Sequence, residues 1–250
     1  MKYVLFLLCW LIGSALCDAA EDGVSNTPHM IEQDVSLSKT SKPNSAVPTI
    51  IQLPKPDSMG LSVEEALKQR KSIRNFSDKP ITLQQLSLIL YAAQGITHTK
   101  FGHKFRSAPS AGALYPIEVY IVAERIKDIT PGLYHYLPEK HQLHLKQHGE
   151  LLSALSDEAL SQQAIAESAC SIILTAVPSR TTNKYGRRGH RYIHIEAGHI
   201  SQNIYLQVTS LKLGSVAIGA FRDVLLKEFL GIKKDNEEYP IYIHAVGIPR

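Results

Sequence analysis

One long amphipathic segment constrains the fold of this chain more than any other feature. Between Arg191 and Leu213 the apolar residues recur every three or four positions, which places them on one face of a helix. That face consists of Ile193, Ala197, Ile200, Ile204, Val208 and Leu211. Upstream of it, Ser171–Val177 is a continuous apolar run that is typical of a buried strand. The sequence therefore predicts a long, mostly buried helix and a buried strand.

The remaining periodic segments mix helices with strands. Capping boxes at Ser62–Glu65 and Thr82–Gln85 predict two more helices, and Gly95 ends the second. A last helix is predicted over Val224–Leu230. Further strands are predicted at Ile117–Ala123, Leu133–Leu137, Gln142–Leu145, Ser215–Ile218 and Ile241–Val246. Because helices and strands interleave without regular βαβ spacing, we predict an α+β fold.

The first 19 residues are typical of an export signal. Lys2 precedes the apolar run Tyr3–Ile12, and small residues follow it, with cleavage expected after Cys17 or Ala19. The run is about half as long as a membrane-spanning helix requires. We therefore predict a signal peptide over residues 1–19, an exported (periplasmic or secreted) protein, and no membrane span after leader cleavage. A buried N-terminal helix is the alternative.

A Ser- and Pro-rich segment separates this leader from the folded part. Residues 20–58 show little periodic hydrophobicity, which predicts a flexible tail. The exception is Ile50–Leu53, which has the character of a short arm packed on the body. Residues 59–250 are then left for a single folded domain.

Composition and motif searches exclude several function classes. The net charge of +4 and the absence of a long basic run argue against nucleic-acid binding. The three cysteines are too few and too scattered for a zinc site or a disulfide framework. Glu196 and His199 have the spacing of half a di-iron motif, but such a site needs two halves, so no metal is predicted. The common nucleotide-binding loops and the serine-hydrolase elbow are absent from the sequence.

A basic cluster follows the first predicted helix. Arg70, Ser72 and Arg74 are two residues apart, so in an extended segment their side chains point the same way. Two guanidinium groups and a hydroxyl suit a phosphate or a planar heterocycle rich in hydrogen-bond acceptors. The alternative is a solvated basic helix end that interacts favourably with the helix dipole.

Three other segments carry residues suited to ligand contact. Ser107–Pro116 and Gly214–Phe221 are rich in small residues, which allow a backbone to approach a flat ligand closely. Lys184–Tyr192 reads as a basic loop after the buried strand, in which Lys184 or Tyr185 could handle protons. The alternatives are a plain loop for Ser107–Pro116 and a basic surface loop for Lys184–Tyr192.

Taken in order, these blocks resemble the nitroreductase superfamily, and within it the SagB-type (SagB/ThcOx) dehydrogenases. Arg70-x-Ser72-x-Arg74 resembles the flavin signature, and Pro109–Pro116 is similar to the block P-S-A-G-x-x-Y-P. Lys184-Tyr185-Gly186 and the later segment 196–203 resemble the SagB-type catalytic loop and its helix. The resemblance spans residues 60–250. It implies a nitroreductase-like fold with a central, mainly antiparallel sheet surrounded by helices.

The resemblance also implies FMN, bound without a covalent link at the interface of a homodimer. Arg70, Ser72 and Arg74 would hold its phosphate and the N1/O2 edge of its ring, where positive charge stabilises the anionic reduced form. Residues 109–111 would line the ring, and the backbone at 219–220 would face N5. The implied cofactor-binding residues are Arg70, Ser72, Arg74, Pro109, Ser110, Ala111, Gly112, Gly219, Ala220 and Arg250.

The implied activity is hydride transfer between a small-molecule or peptide substrate and flavin N5, with Lys184 and Tyr185 as the catalytic pair. Two alternatives stay open. One is an NAD(P)H-dependent nitro- or quinone reductase, and the other is a flavin- or ligand-binding module without catalysis. The predicted leader sets the chain apart from azole-forming SagB-type enzymes, which work in the cytoplasm.

Overall fold

A computed structural model describes residues 48–57 and 60–250. The predicted signal peptide, residues 1–19, and residues 20–47 of the predicted tail lie outside the described residues. None of the described helices combines the length and the apolar character needed to cross a membrane.

The centre of the fold is a seven-stranded sheet in the order β1-β6-β5-β4-β7-β9-β8, and all its neighbouring strands are antiparallel. A separate hairpin pairs β2 with β3. The strands are β1 (Ile50–Gln52), β2 (Ile96–Lys100), β3 (His103–Arg106), β4 (Ile117–Ala123), β5 (Gly132–Leu137), β6 (Gln142–His148), β7 (Cys170–Ala176), β8 (Gly214–Ile218) and β9 (Tyr239–Gly247). Every residue of β7 is buried, as its continuous apolar run predicts.

Seven α-helices accompany the sheet in the described residues. They are α1 (Val63–Gln69), α2 (Leu83–Gln94), α3 (Leu152–Glu158), α4 (Gln163–Ala166), α5 (Ser179–Tyr185), α6 (Arg188–Ser210) and α7 (Asp223–Phe229). A short 3-10 turn, Ala111–Ala113, precedes β4. The capping box at Thr82 is complete: Thr82 Oγ1 accepts from Gln85 N, and Gln85 Oε1 accepts from Thr82 N.

Strand β4 shows how the helices cover both faces of the sheet. Its alternate residues Val119 and Ile121 belong to the core formed with α2 and α6, whereas Tyr120 and Val122 belong to the core formed with α3, α4 and α7. Each buried aliphatic side chain of this kind contributes about 1.5–3 kcal/mol of transfer free energy. The α+β prediction is therefore confirmed, with helices on both faces of an antiparallel sheet.

The segment Ile50–Leu53, the exception within the predicted tail, packs on the sheet. Ile50–Gln52 forms edge strand β1 against β6, and Leu53 is buried. Further along, the Ser87 hydroxyl donates to the Pro54 carbonyl over 2.6 Å and lies 2.7 Å from His141 Nε2. These contacts tie the arm to α2 and to the β5–β6 turn.

Helix α1 is capped by Ser62, whose hydroxyl accepts from Glu65 N, as its capping pattern predicts. Only part of its apolar face is covered. Ala66 is buried, but Val63 and Leu67 remain 61% and 55% exposed. The helix therefore presents apolar side chains at the surface of a single chain.

The segment Lys184–Tyr192, expected to be a loop, is instead helical on both sides of a sharp turn, and that expectation is wrong. Lys184 and Tyr185 end α5, and α6 begins at Arg188. Gly186 makes the turn at a φ of +54°, where L side chains are strained. A Cβ at Gly189 would lie 2.9 Å from Thr182 Cα. The two glycines thus allow two helices to pack closely.

Candidate active site

The segment Arg70–Arg74 leaves α1 without helical structure and is fastened to β8. Ile73 N donates to the Ser215 carbonyl over 2.8 Å. A Cβ at Gly214 would lie 2.8 Å from Ile73 Cβ, so glycine is what allows this approach. Arg70 is half-buried, whereas Ser72 and Arg74 are exposed. Among the described residues neither arginine forms an ion pair, so both guanidinium charges are free for an anion.

Tyr205 of α6 joins this segment to β8. Its hydroxyl accepts from Ala217 N over 2.7 Å and lies 3.2 Å from the Ser72 hydroxyl. The Arg70 guanidinium carbon lies 5.2 Å from the centre of the Tyr205 ring, a cation–π distance. Sequence reasoning missed Tyr205, because nothing local to residue 205 shows that it meets a segment 133 residues earlier.

A buried histidine lies behind Tyr205. The two rings are 5.1 Å apart in an edge-on arrangement. His244 Nδ1 lies 3.2 Å from the Ser215 hydroxyl, and its Nε2 lies 2.9 Å from the Ser201 hydroxyl. Burial lowers the pKa of His244 to about 3, so the ring is neutral at physiological pH. It supports Tyr205 without adding charge.

The other predicted residues near this segment are Gly219, Ala220 and Arg250. Gly219 and Ala220 are exposed directly beyond the end of β8. Arg250 N donates to the Asn75 carbonyl over 3.3 Å, which brings the C-terminus beside the basic segment. Its guanidinium, however, lies 3.7 Å from the carboxylate of Glu167, so the side chain is engaged elsewhere.

A second group forms where the 3-10 turn meets α5. Gly112 has a φ of +65°, and a Cβ there would lie 2.8 Å from Tyr185 Oη and 3.1 Å from Lys184 Nζ. The structure thus brings together two segments that the sequence separates by more than 70 residues. Lys184 is exposed and its Nζ lies 5.4 Å from the centre of the Tyr185 ring. The Lys184 amine and the Tyr185 phenol both lie against Gly112, where they can exchange protons with a bound molecule.

An ion-pair cluster fixes α5 relative to this turn. Arg180 donates to the Tyr115 carbonyl over 3.1 Å and pairs with Glu118 at 2.5 Å. Glu118 also lies 2.7 Å from His135 Nε2. Burial opposes ionisation of Glu118, but His135 and Arg180 outweigh it and hold its pKa below the ordinary value. The charged carboxylate therefore anchors the helix that carries Lys184.

Helix α6 closes the second group with Glu196, which is only 2% exposed. Burial raises the pKa of Glu196 to about 7, although Ser110, Arg106 and Gln94 lower it. Arg106 donates to Gln94 Oε1 over 2.9 Å. The sequence singled out Glu196 for its spacing from His199, but Arg106 and Gln94 carry no motif and were missed.

The predicted residues therefore form two groups, and no hydrogen bond, ion pair or ring contact of the described residues joins them. Both are connected to α6, one through Tyr205 and the other through Glu196, nine residues earlier. This separation corresponds to about 13–14 Å along a helix. Neither group has the ligands of a metal site: the described part of the chain has no cluster of three or more His, Cys, Asp or Glu side chains suited to one.

Comparison with known proteins agrees with this architecture. The family model described as "Nitroreductase family" matches residues 67–248. A nitroreductase-type protein from Methanocaldococcus jannaschii is 41% identical over 192 residues, which is 77% of this chain and 93% of that protein. A crystal structure of a nitroreductase-type protein from Ralstonia eutropha JMP134 superposes with a TM-score of 0.71 and 29% identity, over 82% of this chain and 92% of the other.

The same fold occurs in the E. coli microcin synthetase McbBCD complex, at 20% identity and a TM-score of 0.65, over 78% of this chain and 75% of that one. That likeness shows the fold alone. The nitroreductase-like fold implied by the sequence blocks is confirmed. Proteins of this family typically bind flavin and act as oxidoreductases. Because the family model covers most of the chain, this protein belongs to the nitroreductase family.

Proposed function

We propose that the protein is an FMN-dependent oxidoreductase of the SagB-type group, which acts on a small molecule or a peptide. The observation that carries the proposal is the contact of Lys184 and Tyr185 with Gly112. It joins the SagB-type Lys-Tyr pair to the P-S-A-G block, the segment that the resemblance assigns to the flavin ring. When bound, FMN supplies a centre that accepts and donates hydride.

The basic segment fits the anionic part of such a cofactor. Arg74 is exposed and Arg70 is half-buried, and neither has a carboxylate partner among the described residues. Planar guanidinium groups bind phosphate oxygens and ring acceptors in pairs. The Ser72 hydroxyl, already oriented by Tyr205, adds one more hydrogen-bonding group. We assign phosphate and N1/O2 contacts to these three residues.

Lys184 and Tyr185 have a different task. Lys184 exchanges a proton with the substrate at Nζ, and Tyr185 Oη holds the substrate by a hydrogen bond. Gly112 has no side chain, so Lys184 Nζ and Tyr185 Oη can lie directly against the ring-lining turn, residues 109–113. Arg180 and Glu118 hold α5 in place, so that these atoms need little reorganisation.

We propose a homodimer, because within one chain the two groups lie apart along α6. A second copy would bring residues 109–112 of one protomer to the basic segment of the other. Val63 and Leu67, exposed on α1, are apolar residues suited to burial between protomers. Light scattering of the purified protein that shows only monomer would contradict this arrangement.

An NAD(P)H-dependent nitro- or quinone reductase is the second candidate. It is favoured by the 41% identical relative, whose name is that of a nitroreductase. Rapid bleaching of the flavin by NADH, followed by reoxidation with a nitroarene, distinguishes it from a dehydrogenase that is reduced only by its substrate.

The decisive experiment is an absorbance scan of the purified protein, with Arg74→Ala as the variant. We expect a flavin band in the wild type and FMN affinity about 10- to 100-fold weaker in Arg74→Ala, since a hydrogen bond to a charged group is worth about 1.5–3 kcal/mol. Lys79→Ala is the matched control, because it removes one exposed positive charge close by in the chain. A colourless wild type that takes up no FMN would sink the proposal.

Export stays part of the proposal. The intact mass of the protein from its natural host should correspond to a chain that begins at residue 18 or 20 if the leader is cleaved as the sequence predicts. A mass that includes Met1 would contradict it.

A further inference from the structure

A cavity of about 270 Å³ lies between residues 109–111 and the first half of α6. Its polar lining comes from Ser110, Tyr192, Glu196 and His199, and its apolar lining includes Pro109 and Ile195. Gly112, which Lys184 and Tyr185 approach, directly follows the lining residue Ala111. The cavity has the mixed polar and apolar lining of a small-molecule site.

Glu196 is the unusual member of this lining. Only 2% of its surface is exposed, and it forms no ion pair with any described residue. Its Oε1 has no hydrogen-bond partner, and neither does the buried Gln94 Nε2. A buried, unpaired carboxylate is costly, so the side chain must be neutralised or gain a partner.

The charged and titratable groups around Glu196 do not supply that partner. Arg106 of β3 donates one N–H to Gln94 Oε1 over 2.9 Å, and its guanidinium lies over the Tyr115 ring. Tyr192 and His199 share α6 with Glu196 and line the same cavity. Because burial outweighs the effects of Ser110, Arg106 and Gln94, the pKa of Glu196 is about 7 and the acid form is well populated at neutral pH.

Ser110 provides a second donor beside the carboxyl. Its Oγ accepts from Tyr115 N over 2.9 Å, which orients the side chain, and its hydroxyl lies close enough to the carboxyl to lower the pKa of Glu196. A cavity with an acid O–H and a hydroxyl donor favours a ligand that brings acceptors and no negative charge.

On the basis of the proposed function, we propose that this cavity is the substrate subsite beside the flavin, and that Glu196, with Ser110, selects an uncharged group bearing a hydrogen-bond-accepting oxygen. The acid form of Glu196 donates to this oxygen. The carboxylate form has no proton to donate and repels acceptors. Affinity for such a group is therefore full below pH 7 and falls as the pH rises through 7 and above.

The test uses the full chain with its flavin and two uncharged probes, acetophenone and benzamide, with toluene as the probe that lacks an acceptor. We expect the Kd of both carbonyl probes to rise about tenfold per pH unit above pH 7, because each binding event requires one proton on the protein. Toluene should bind without this pH dependence. Failure of both carbonyl probes to bind, or a flat profile, would overturn the proposal.

Two variants assign the titration to Glu196. Glu196→Gln keeps a permanent N–H donor, so carbonyl probes should bind with a flat pH profile. His199→Gln is the control, because it introduces the same amide side chain at another residue that lines the cavity. A profile abolished by His199→Gln and kept by Glu196→Gln would contradict the assignment. So would displacement of the probes by added FMN, because the cavity would then belong to the cofactor.

The flavin absorbance of the same samples separates this inference from the proposed function. A yellow protein with no Glu196-dependent probe binding refutes the subsite and leaves the function standing. A colourless protein that still shows the pH-dependent binding refutes the function and leaves a Glu196 ligand site.

Discussion

The two ends of the predicted site, both connected to α6, differ in how their buried polar groups are satisfied. Around Tyr205, the tyrosine hydroxyl accepts from Ala217 N, and both ring nitrogens of His244 have serine partners. Around Glu196, the carboxyl Oε1 and Gln94 Nε2 are buried without partners. One end is a completed hydrogen-bond network, and the other retains unused hydrogen-bonding capacity.

This difference indicates that the two ends of the site have different tasks. A saturated network keeps one geometry, which suits a cofactor that stays bound through many turnovers. Unsatisfied groups are tolerated where a ligand completes them, which suits a substrate that comes and goes. Perturbing the Glu196 end should therefore change turnover more than cofactor retention, and perturbing the Tyr205 end should do the reverse.

The largest effect is expected from Lys184→Ala. Removing the group that we propose exchanges protons should slow reoxidation of the reduced flavin by a nitroarene about 1,000-fold, since positioned acid–base groups contribute about 10²–10⁴-fold. FMN content should not change, because Lys184 is exposed and lies apart from the basic segment that we propose holds FMN. Stopped-flow absorbance measures both quantities.

Arg187→Ala is the control for this variant, because it removes an exposed charge three residues away. Equal rates for Lys184→Ala and the wild type would favour a binding module in which the Lys-Tyr pair has no catalytic task.

A smaller effect on turnover is expected from Gly112→Val. The backbone φ of +65° disfavours any β-branched residue, and the new Cβ would meet Tyr185 Oη at 2.8 Å. We expect kcat/KM to fall about 100-fold, as for a misplacement of about 1 Å at reacting groups. Gly198→Ala is the control, because a Cβ there meets nothing within 4 Å. Loss of flavin equal to the loss of turnover would break the comparison between the two ends.

The sequence predicted the fold where periodicity is strong. Helix α6 and strand β7 were located to within three residues, because one has a clear 3.6-residue period and the other an unbroken apolar run. The hairpin β2–β3 was not predicted, since its residues are mostly polar and exposed. The error at residues 184–192 came from treating Gly186 and Gly189 as loop residues, whereas Gly189 permits close packing on Thr182.

For the candidate site, the sequence predicted the short motifs but not the side chains that support them. Contiguous blocks such as 70–74 and 109–112 can be recognised without a structure. The contact of Ser72 with Tyr205, and that of Arg106 with Gln94, depend on how separate elements pack together. No local pattern encodes such contacts, because each residue alone is compatible with many environments.

The smallest effect is expected from Tyr205→Phe, which tests the end of the site that we propose holds the cofactor. The variant keeps the ring beside Arg70 but removes the hydroxyl that accepts from Ala217 N. The unpaired N–H should cost about 1 kcal/mol of unfolding free energy, and a loosened Ser72 should weaken FMN binding about fivefold. Tyr242→Phe is the matched control, because the Tyr242 ring also contacts His244, at 5.6 Å, and its hydroxyl forms no hydrogen bond with a described residue. Urea unfolding and FMN titration measure the two effects. If Tyr205→Phe lowered turnover at saturating FMN instead, the two ends of the site would not be independent.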